Sequence, residues 1–170
     1  PSDFKNWAIP HARNRWILAL DADERVTDSL AQEIREKLKS NSEIHAYCIP
    51  RKNIFLGKQI HFSGWQNDAP IRLIDRDHCR YDKRQVHEHL CVAQGKTGTM
   101  TEAILHNTCS TLREALEKNI RYGSLGADDL IQSGKGVNIF SMIVRPIFRF
   151  LRHFIWKQGF RDGSMGLLLA

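Results

Sequence analysis

A short apolar run that ends in acid places the strongest constraint on the fold of this chain. Trp16 to Leu20 contains no polar side chain other than the indole, and Asp21-Ala22-Asp23-Glu24 follows at once. Such a run is typical of a strand buried on both faces of a sheet that has helices on each side. In open α/β sheets, ligands collect beyond the carboxyl ends of the strands, which is where these acids fall. The run therefore predicts an α/β fold with a candidate site at its acidic end.

The acidic end has the residue types and the spacing of a metal-binding pair. Asp21 and Asp23 are two residues apart, so on an extended strand end their side chains point the same way. Paired carboxylates with few other protein ligands suit Mg²⁺ or Mn²⁺, which then keep positions open for phosphate oxygens. The same pattern also fits an acidic loop that caps the next helix, because Asp-x-Asp is common and helix caps are often acidic. The spacing leaves both interpretations open.

A surface helix and a second part of the sheet are predicted next. Leu30 and Ile34 recur at helical spacing after an N-cap at Thr27 or Asp28. Strand-like pieces then follow at 46–49 and 71–74, and glycines and a proline separate them. This part of the chain indicates a mixed or antiparallel portion of the sheet.

A further helix is predicted from Thr111 to Tyr122. Thr111 and Glu114 have the spacing of a capping box, in which two side chains satisfy the first free amides. The apolar residues at helical spacing predict a buried stripe of Leu112, Ala115, Leu116 and Ile120. We expect Gly123 and Gly126 to end the helix.

The last segment, residues 138–158, combines apolar and basic residues. On a helix, the segment presents two faces, with Arg145, Arg149 and Arg152 on one and Phe148, Leu151 and Ile155 on the other. It is too charged for a membrane span, which needs roughly 18 uncharged apolar residues, but this arrangement suits a helix that lies in a membrane interface. Packing on the domain is the alternative, and Pro146 is expected to start or kink the helix.

Short motif blocks lie along nearly the whole chain. They are, in chain order, Asn6-Trp-Ala-Ile, Trp16 to Val26, Pro50-Arg51-Lys52-Asn53, Gly64-Trp65, Arg72-Leu73, Val86-His87-Glu88, Ile104-Leu105-His106, and Gly159-Phe160 with Asp162-Gly163. In this order the blocks resemble family 2 glycosyltransferases of the GT-A type, and most of all bacterial lipopolysaccharide-core glucosyltransferases. The resemblance implies a Rossmann-like mixed sheet flanked by helices, a nucleoside diphosphate sugar donor, a divalent cation and inverting transfer to a hydroxyl. Residues 1–137 would then be a partial GT-A catalytic domain, and 138–170 a basic amphipathic helical segment of the same domain. The chain begins at Pro1 without the family's first strands, so we expect an N-terminally truncated domain.

The resemblance also assigns candidate metal and catalytic residues. Asp21 and Asp23 match the cation-binding acids, and His106 matches a late histidine that is a third metal ligand in some GT-A domains; a core histidine at a strand end is the alternative. Glu88 matches the family's His-Glu block, where it would be the general base that deprotonates the acceptor hydroxyl. Without the family, a lone glutamate is usually a solvated surface residue.

Two further pairs are candidates for binding the substrates. Lys5 and Asn6 match the pair that precedes the acidic strand in the family, where they would contact the donor pyrophosphate; a solvated helix start is the alternative. Trp65 and Arg72 would bind the acceptor, the indole by stacking on a sugar ring and the guanidinium by pairing with phosphates. A partly buried core tryptophan is the alternative for Trp65.

The resulting hypothesis is an enzyme that moves glucose from UDP-glucose onto a heptose of the lipopolysaccharide inner core. Its partners would be a nucleotide-sugar donor, a lipid-anchored glycan acceptor and the anionic cytoplasmic face of the bacterial inner membrane, without nucleic acid. A related hypothesis keeps the transferase and changes the acceptor to another polysaccharide or lipid carrier. A hypothesis of another class is a non-catalytic basic module for membrane or nucleic acid, which rests on the net charge of +6 and leaves Asp21 and Asp23 unexplained.

Overall fold

The computed structural model describes residues 2–39, 43–81, 90–92, 95–134 and 138–170. Helices and short strands alternate along the chain, which confirms the mixed α/β class. Two compact units form, one from Pro1–Lys52 with Asp68–His106 and the other from Asn53–Asn67 with Asn107–Ala170. Two strands, β4 (Arg51–Phe55) and β10 (Ile104–Cys109), continue from the first unit into the second.

The first unit contains two helices and most of the strands. Its elements are α1 (Ser2–His11), β1 (Trp16–Leu18), β2 (Glu24–Arg25), α2 (Asp28–Lys37), β3 (Ile44–Cys48), β6 (Ile71–Asp75), β7 (Cys79–Tyr81), β8 (Leu90–Val92) and β9 (Lys96–Thr99). A four-stranded sheet has the order β1-β6-β3-β9, with β6 antiparallel to both neighbours and β3 parallel to β9. The predicted mixed portion is therefore confirmed.

The strand before the acidic turn differs from its prediction. It ends at Leu18, its side chains are only partly buried, and it lies at an edge of the described sheet, paired with β6. Leu20 is exposed. The expectation of a strand from Trp16 to Leu20 buried on both faces was wrong, because the chain leaves the sheet early. The Ala19 amide still donates to the Arg72 carbonyl, but the next residues form a turn in which the Glu24 amide donates to the Asp21 carbonyl.

Both faces of this sheet are nevertheless covered. Neighbouring residues on a strand point to opposite faces, so on β6 Leu73 packs in a cluster with Leu30 of α2, while Ile74 packs in another with Ile9 of α1. Helix α2 begins where predicted, since the Thr27 hydroxyl caps it by accepting a hydrogen bond from the Leu30 amide. The acidic turn lies between β1 and α2 and is thus held at both ends.

The second unit is mainly helical. It contains β5 (Lys58–Gln59), α3 (Leu112–Gln132), α4 (Ile139–Leu151), a π-helical turn (Arg152–Trp156), a 3-10 turn (Gly159–Asp162) and α5 (Ser164–Leu169). The carboxylate of Asp162 accepts hydrogen bonds from the amides of His61 and Phe62, at 3.1 and 2.8 Å. The imidazole of His153 lies 2.9 Å from the Ser63 carbonyl. These bonds tie the two turns after α4 to the loop that follows β5.

Helix α3 begins as predicted but continues further. The Thr111 hydroxyl accepts from the Glu114 amide, and the Glu114 carboxylate accepts from the Ser110 amide. The helix passes through Gly123 and Gly126 to Gln132, so the expected end was wrong; a glycine costs a helix only about 1 kcal/mol relative to alanine and does not break its hydrogen bonds. The predicted buried stripe was wrong for three of its four residues: Ala115 is buried as predicted, whereas Leu112, Leu116 and Ile120 are exposed.

Helix α4 confirms that the segment after residue 138 is helical. Pro146 lies inside the helix and does not start it, so that part of the expectation was wrong. In the part of the chain that the structure describes, no helix combines the length and the hydropathy needed to cross a membrane.

Candidate functional site

The acidic turn is fixed at its far end by a pair of short strands. Strand β2 lies antiparallel to β10, with Glu24 opposite His106 and Arg25 opposite Leu105. The turn from Ala19 to Asp23 therefore connects the end of β1 to the start of β2. Side chains of the turn and of the neighbouring strand β10 come together at this point.

Glu24 is the centre of the turn. Its side chain is 0% exposed, and its Oε1 atom accepts hydrogen bonds from Arg51 Nε at 2.7 Å and Arg72 Nη2 at 2.8 Å. Its Oε2 atom accepts from the Asp21 amide at 2.9 Å. A buried carboxylate is stable only when it is paired and hydrogen-bonded, and these contacts meet that condition. Glu24 thus links the backbone of the turn to two strands of the first unit.

Asp21 is held by the same two arginines. Its half-exposed carboxylate accepts from Arg72 Nη2 and lies 3.4 Å from Arg51 Nη2. The Arg72 side chain is only 8% exposed, and burial by itself would lower its pKa; the hydrogen bond and charge of Glu24, followed by those of Asp21, outweigh burial and raise the pKa above its ordinary value. Arg72 therefore stays charged, and it orients the first acid of the turn.

Asp23 lies toward the neighbouring strand. Its carboxylate oxygen is 3.5 Å from Nε2 of His106, and both side chains are partly exposed. The two atoms are close enough to be neighbouring ligands of one ion. The predicted association of Asp23 with His106 thus has a geometric basis, which the cross-strand position of His106 beside Glu24 explains.

The ligand types in this group suit a cation. Arg51 also pairs with Asp68 at 3.4 Å, so three carboxylates, those of Asp21, Glu24 and Asp68, contact the two guanidiniums, and the carboxylate of Asp23 lies beside His106. Carboxylate oxygens suit Mg²⁺ and Mn²⁺, and one imidazole is compatible with Mn²⁺. Asp23 and His106 fit the cation best, because Asp21 is engaged with Arg72.

A second carboxylate cluster lies elsewhere in the first unit, around Asp75. One of its oxygens accepts hydrogen bonds from Arg15 Nη2 at 2.7 Å and lies 3.0 and 2.9 Å from Nδ1 of His45 and His78. Among the described residues, Asp75 and these two histidines are the trio whose ligand atoms lie within 4.8 Å of one another. The imidazole rings are stacked, with centroids 3.7 Å apart and planes at 16°. An ion binds in the plane of an imidazole and cannot lie in both of two stacked planes, so this is a hydrogen-bonded carboxylate.

The Asp75 cluster makes stability depend on pH. Burial acts to raise the pKa of Asp75, but hydrogen bonds from Arg15, the Asp77 amide and the two histidines hold it well below its usual range. A depressed carboxyl pKa gives stability that is present above the unfolded-state value and is lost as pH falls through the folded-state value.

We therefore expect Asp75→Asn to destabilise the protein strongly at neutral pH, with a difference from wild type that shrinks from about pH 5 to pH 3. Urea unfolding across that range measures it; a constant difference would contradict the assignment.

The other predicted site residues have varied positions. Asn6 exchanges two hydrogen bonds of 2.8 Å with the Tyr81 backbone, and the Lys5 ammonium lies 5.0 Å from the Tyr81 ring centre, so both connect α1 to β7. Trp65 packs edge-on against Phe55 in the apolar cluster of the second unit. Glu88 lies outside the described residues. The roles of these residues in binding or catalysis stay predictions, as does acceptor binding by Arg72.

Sequence reasoning missed the supporting residues of the acidic turn. The sequence pattern predicted no pairing role for Glu24, the last residue of the acidic motif, or for Arg51, which lies within a block that resembles the family. Two signals were available: a third acid directly after Asp-x-Asp, and an arginine next to a predicted strand. Neither indicates a pairing partner, because ion pairs between distant segments depend on the fold.

Comparison with known proteins finds curated relatives that match nearly the whole chain, although no protein-family model matches it. It is 30% identical over 168 residues to the lipopolysaccharide core biosynthesis glycosyltransferase LpsC of Rhizobium meliloti (strain 1021), a match that covers 98% of this chain and 62% of that protein. It is 24% identical over 174 residues to an uncharacterized glycosyltransferase of Rickettsia typhi, covering 96% of this chain and 60% of that protein. The chain thus spans about three fifths of the length of these relatives. This similarity supports a place for the chain among the glycosyltransferases.

Proposed function

We propose that the protein that carries this chain transfers a hexose from a nucleotide-sugar donor to a glycan hydroxyl with inversion at the anomeric carbon. The observation that carries the proposal is the pairing of Asp23 with His106 at 3.5 Å, beside an acidic turn that Glu24 locks in place. The similarity to two glycosyltransferases supports the reaction class.

Asp23 and His106 would hold the cation, with Asp21 close by in the same turn. The ion, Mg²⁺ or Mn²⁺, would supply positive charge to the departing diphosphate, so that no acid is needed to protonate the leaving group. The protein's own contribution is a fixed arrangement of carboxylates. Arg51 and Arg72 hold Glu24 and Asp21, and this limits the motion of the turn on which Asp23 lies.

Inverting transfer also needs a base on the acceptor side. Glu88 is proposed for this role, since a carboxylate can accept the proton of the acceptor hydroxyl as that oxygen attacks the anomeric carbon. Lys5 and Asn6 are proposed for the donor pyrophosphate, and Trp65 with Arg72 for the acceptor. The pairing of Arg72 with Asp21 favours an indirect part, in which the arginine positions the acid.

The proposed donor is UDP-glucose and the proposed acceptor a heptose of the lipopolysaccharide inner core. The name of the Rhizobium relative includes lipopolysaccharide core biosynthesis, which supports an acceptor of this class. Another polysaccharide or a lipid-linked acceptor is the alternative, because a metal-binding turn does not select the acceptor. We place the reaction at the inner face of the bacterial inner membrane, where such acceptors are lipid-anchored.

The test is a transfer assay with a panel of UDP-sugars and defined core acceptors, with and without EDTA. We expect one donor and acceptor pair to be used, activity to be lost in EDTA and restored by added Mg²⁺ or Mn²⁺, and Glu88→Gln to lower the rate by roughly 100-fold or more. Full activity in EDTA would exclude the metal-dependent mechanism. Near-normal turnover of Glu88→Gln would assign the base to another residue.

A further inference from the structure

Helix α4 and the turns that follow it expose an unusual amount of apolar surface. Ile143, Ile147 and Phe148 are each more than half exposed, and Trp156 is 76% exposed. Monomeric proteins rarely expose contiguous apolar surface of this extent unless it meets a partner. We call the residues from Ile139 to Trp156 the α4 surface.

The charged residues in α4 and next to it along the chain are of one sign. Between Asp129 and Asp162 the sequence contains six lysines and arginines and no aspartate or glutamate. Arg145, Arg149 and Arg152 are exposed, and none forms an ion pair with a described residue. At 100° per residue they lie within an arc of about 60°, and Ile139, Ile143 and Ile147 lie on the opposite side of the helix, whereas Phe148 lies beside the arginines. The surface therefore combines a broad apolar face with a row of unneutralised cations.

Trp156 lies between two shallow grooves that repeat this combination. One groove is lined by Phe148, Arg152, Trp156 and Lys157. The other is lined by Ile155, Trp156, Gln158, Phe160 and Arg161. Each groove thus places a cation beside aromatic rings, an arrangement in which a phosphate group can pair with the cation while an acyl chain contacts the rings.

Helix α3 of the same unit provides a contrast. It also exposes large apolar residues, including Leu116 and Ile120. Its charges are mixed, however, since it has the acids Glu114, Glu117, Asp128 and Asp129 and the bases Arg113, Lys118 and Arg121. Both helices therefore expose apolar side chains. Of the two, α4 is the one that combines them with charges that are all positive.

We propose that the α4 surface binds an anionic lipid bilayer, with the helix lying in the interface plane, its isoleucines inserted among the acyl chains and its arginines on lipid phosphates. In-plane helices bind through buried apolar area together with attraction to anionic headgroups. Long basic side chains let their charged ends reach the phosphates while their stems remain in apolar surroundings. Membrane binding by α4 extends the proposed function, because it names the surface that contacts the membrane. The link to a lipid-anchored acceptor rests on that proposed function.

The test is vesicle flotation of the protein that carries this chain, with phosphatidylcholine vesicles that contain or lack phosphatidylglycerol. Three variants are compared after circular dichroism has verified their folding. The apolar variant is Ile143→Asn with Ile147→Asn, the basic variant is Arg145→Gln with Arg149→Gln and Arg152→Gln, and the matched control is Leu116→Asn with Ile120→Asn on α3. All of the altered side chains are exposed, so folding should be preserved in each variant.

We expect binding to vesicles with phosphatidylglycerol, and weaker binding as salt rises. The basic variant should bind roughly 100-fold more weakly, at about fivefold per cation, and the apolar variant roughly tenfold or more weakly. The α3 control should bind like wild type. The assay contains neither donor nor acceptor, so vesicle binding and sugar transfer can fail separately.

Three results would overturn the proposal. One is a wild type that does not float with anionic vesicles, and another is wild-type binding by both the apolar and the basic variants. The third is a different occupant. If the wild type self-associates and the apolar variant is monomeric, the surface would be assigned to a second copy of the protein. If the protein binds duplex DNA more tightly than vesicles and the apolar substitutions leave that binding unchanged, the surface would be assigned to nucleic acid.

Discussion

Under the proposed function, Asp23→Asn is expected to lower the rate of sugar transfer by roughly 100- to 1000-fold, because it would remove a charged ligand from the proposed ion, which would offset the developing negative charge of the leaving diphosphate. The folded structure should change little, since Asp23 is partly exposed and contacts His106 at 3.5 Å, outside the buried network of Glu24. Initial rates at saturating donor and several Mn²⁺ concentrations measure the effect.

Asp77→Asn is the matched control for this substitution. Asp77 is an exposed aspartate of the same unit, and its carboxylate makes a surface pair with Arg76 at 3.5 Å. It should retain wild-type transfer. If Asp23→Asn were as active as Asp77→Asn, the acidic turn would have no part in catalysis.

Glu24→Gln is expected to cause the largest loss of stability of any single substitution in the site, about 3–5 kcal/mol in the free energy of unfolding. The reason is that Glu24 is fully buried and balances two guanidiniums, those of Arg51 and Arg72, which are themselves mostly buried. A glutamine amide cannot neutralise them, and its NH₂ group is a donor facing other donors. Urea denaturation at neutral pH measures the loss.

Glu36→Gln, on the exposed side of α2, is the control for the chemical change. Its carboxylate accepts a hydrogen bond from the Gln32 side chain at the surface, so we expect a change within about 0.5 kcal/mol. A Glu24 variant as stable as the Glu36 variant would show that Glu24 does not hold the turn.

The pattern of the sequence was sufficient where local chemistry decides the structure. The cap at Thr27, the start of α3 at Thr111 and the strands around 46–49 and 71–74 depend on short-range signals, and the structure has them at or near the expected positions. The ends of elements were harder. Gly126 is compatible with a helix when the turns on both sides hold it, and the run up to Leu20 leaves the sheet because the turn that follows bonds to itself.

Several residues of the candidate site were predictable from the sequence, whereas the pairing of its arginines with Glu24 was not. Asp21, Asp23 and His106 could be named from motif and resemblance, and the structure brings Asp23 and His106 together. The pairing of Glu24 with Arg51 and Arg72 joins residues 27 and 48 positions apart in the chain. Such contacts depend on strand register, which the sequence pattern does not determine. The burial of a stripe such as Leu116 and Ile120 likewise depends on what packs against it.

The central claim is that Asp23 and His106 hold the ion that binds the donor diphosphate. The most direct test is titration of the protein that carries this chain with Mn²⁺ in the presence of UDP. Binding is measured as the decrease of the free Mn²⁺ signal in electron paramagnetic resonance. The account predicts binding by the wild type and by Asp77→Asn, and affinity lowered by roughly tenfold or more in both Asp23→Asn and His106→Ala. Wild-type Mn²⁺ affinity in Asp23→Asn and His106→Ala would contradict it.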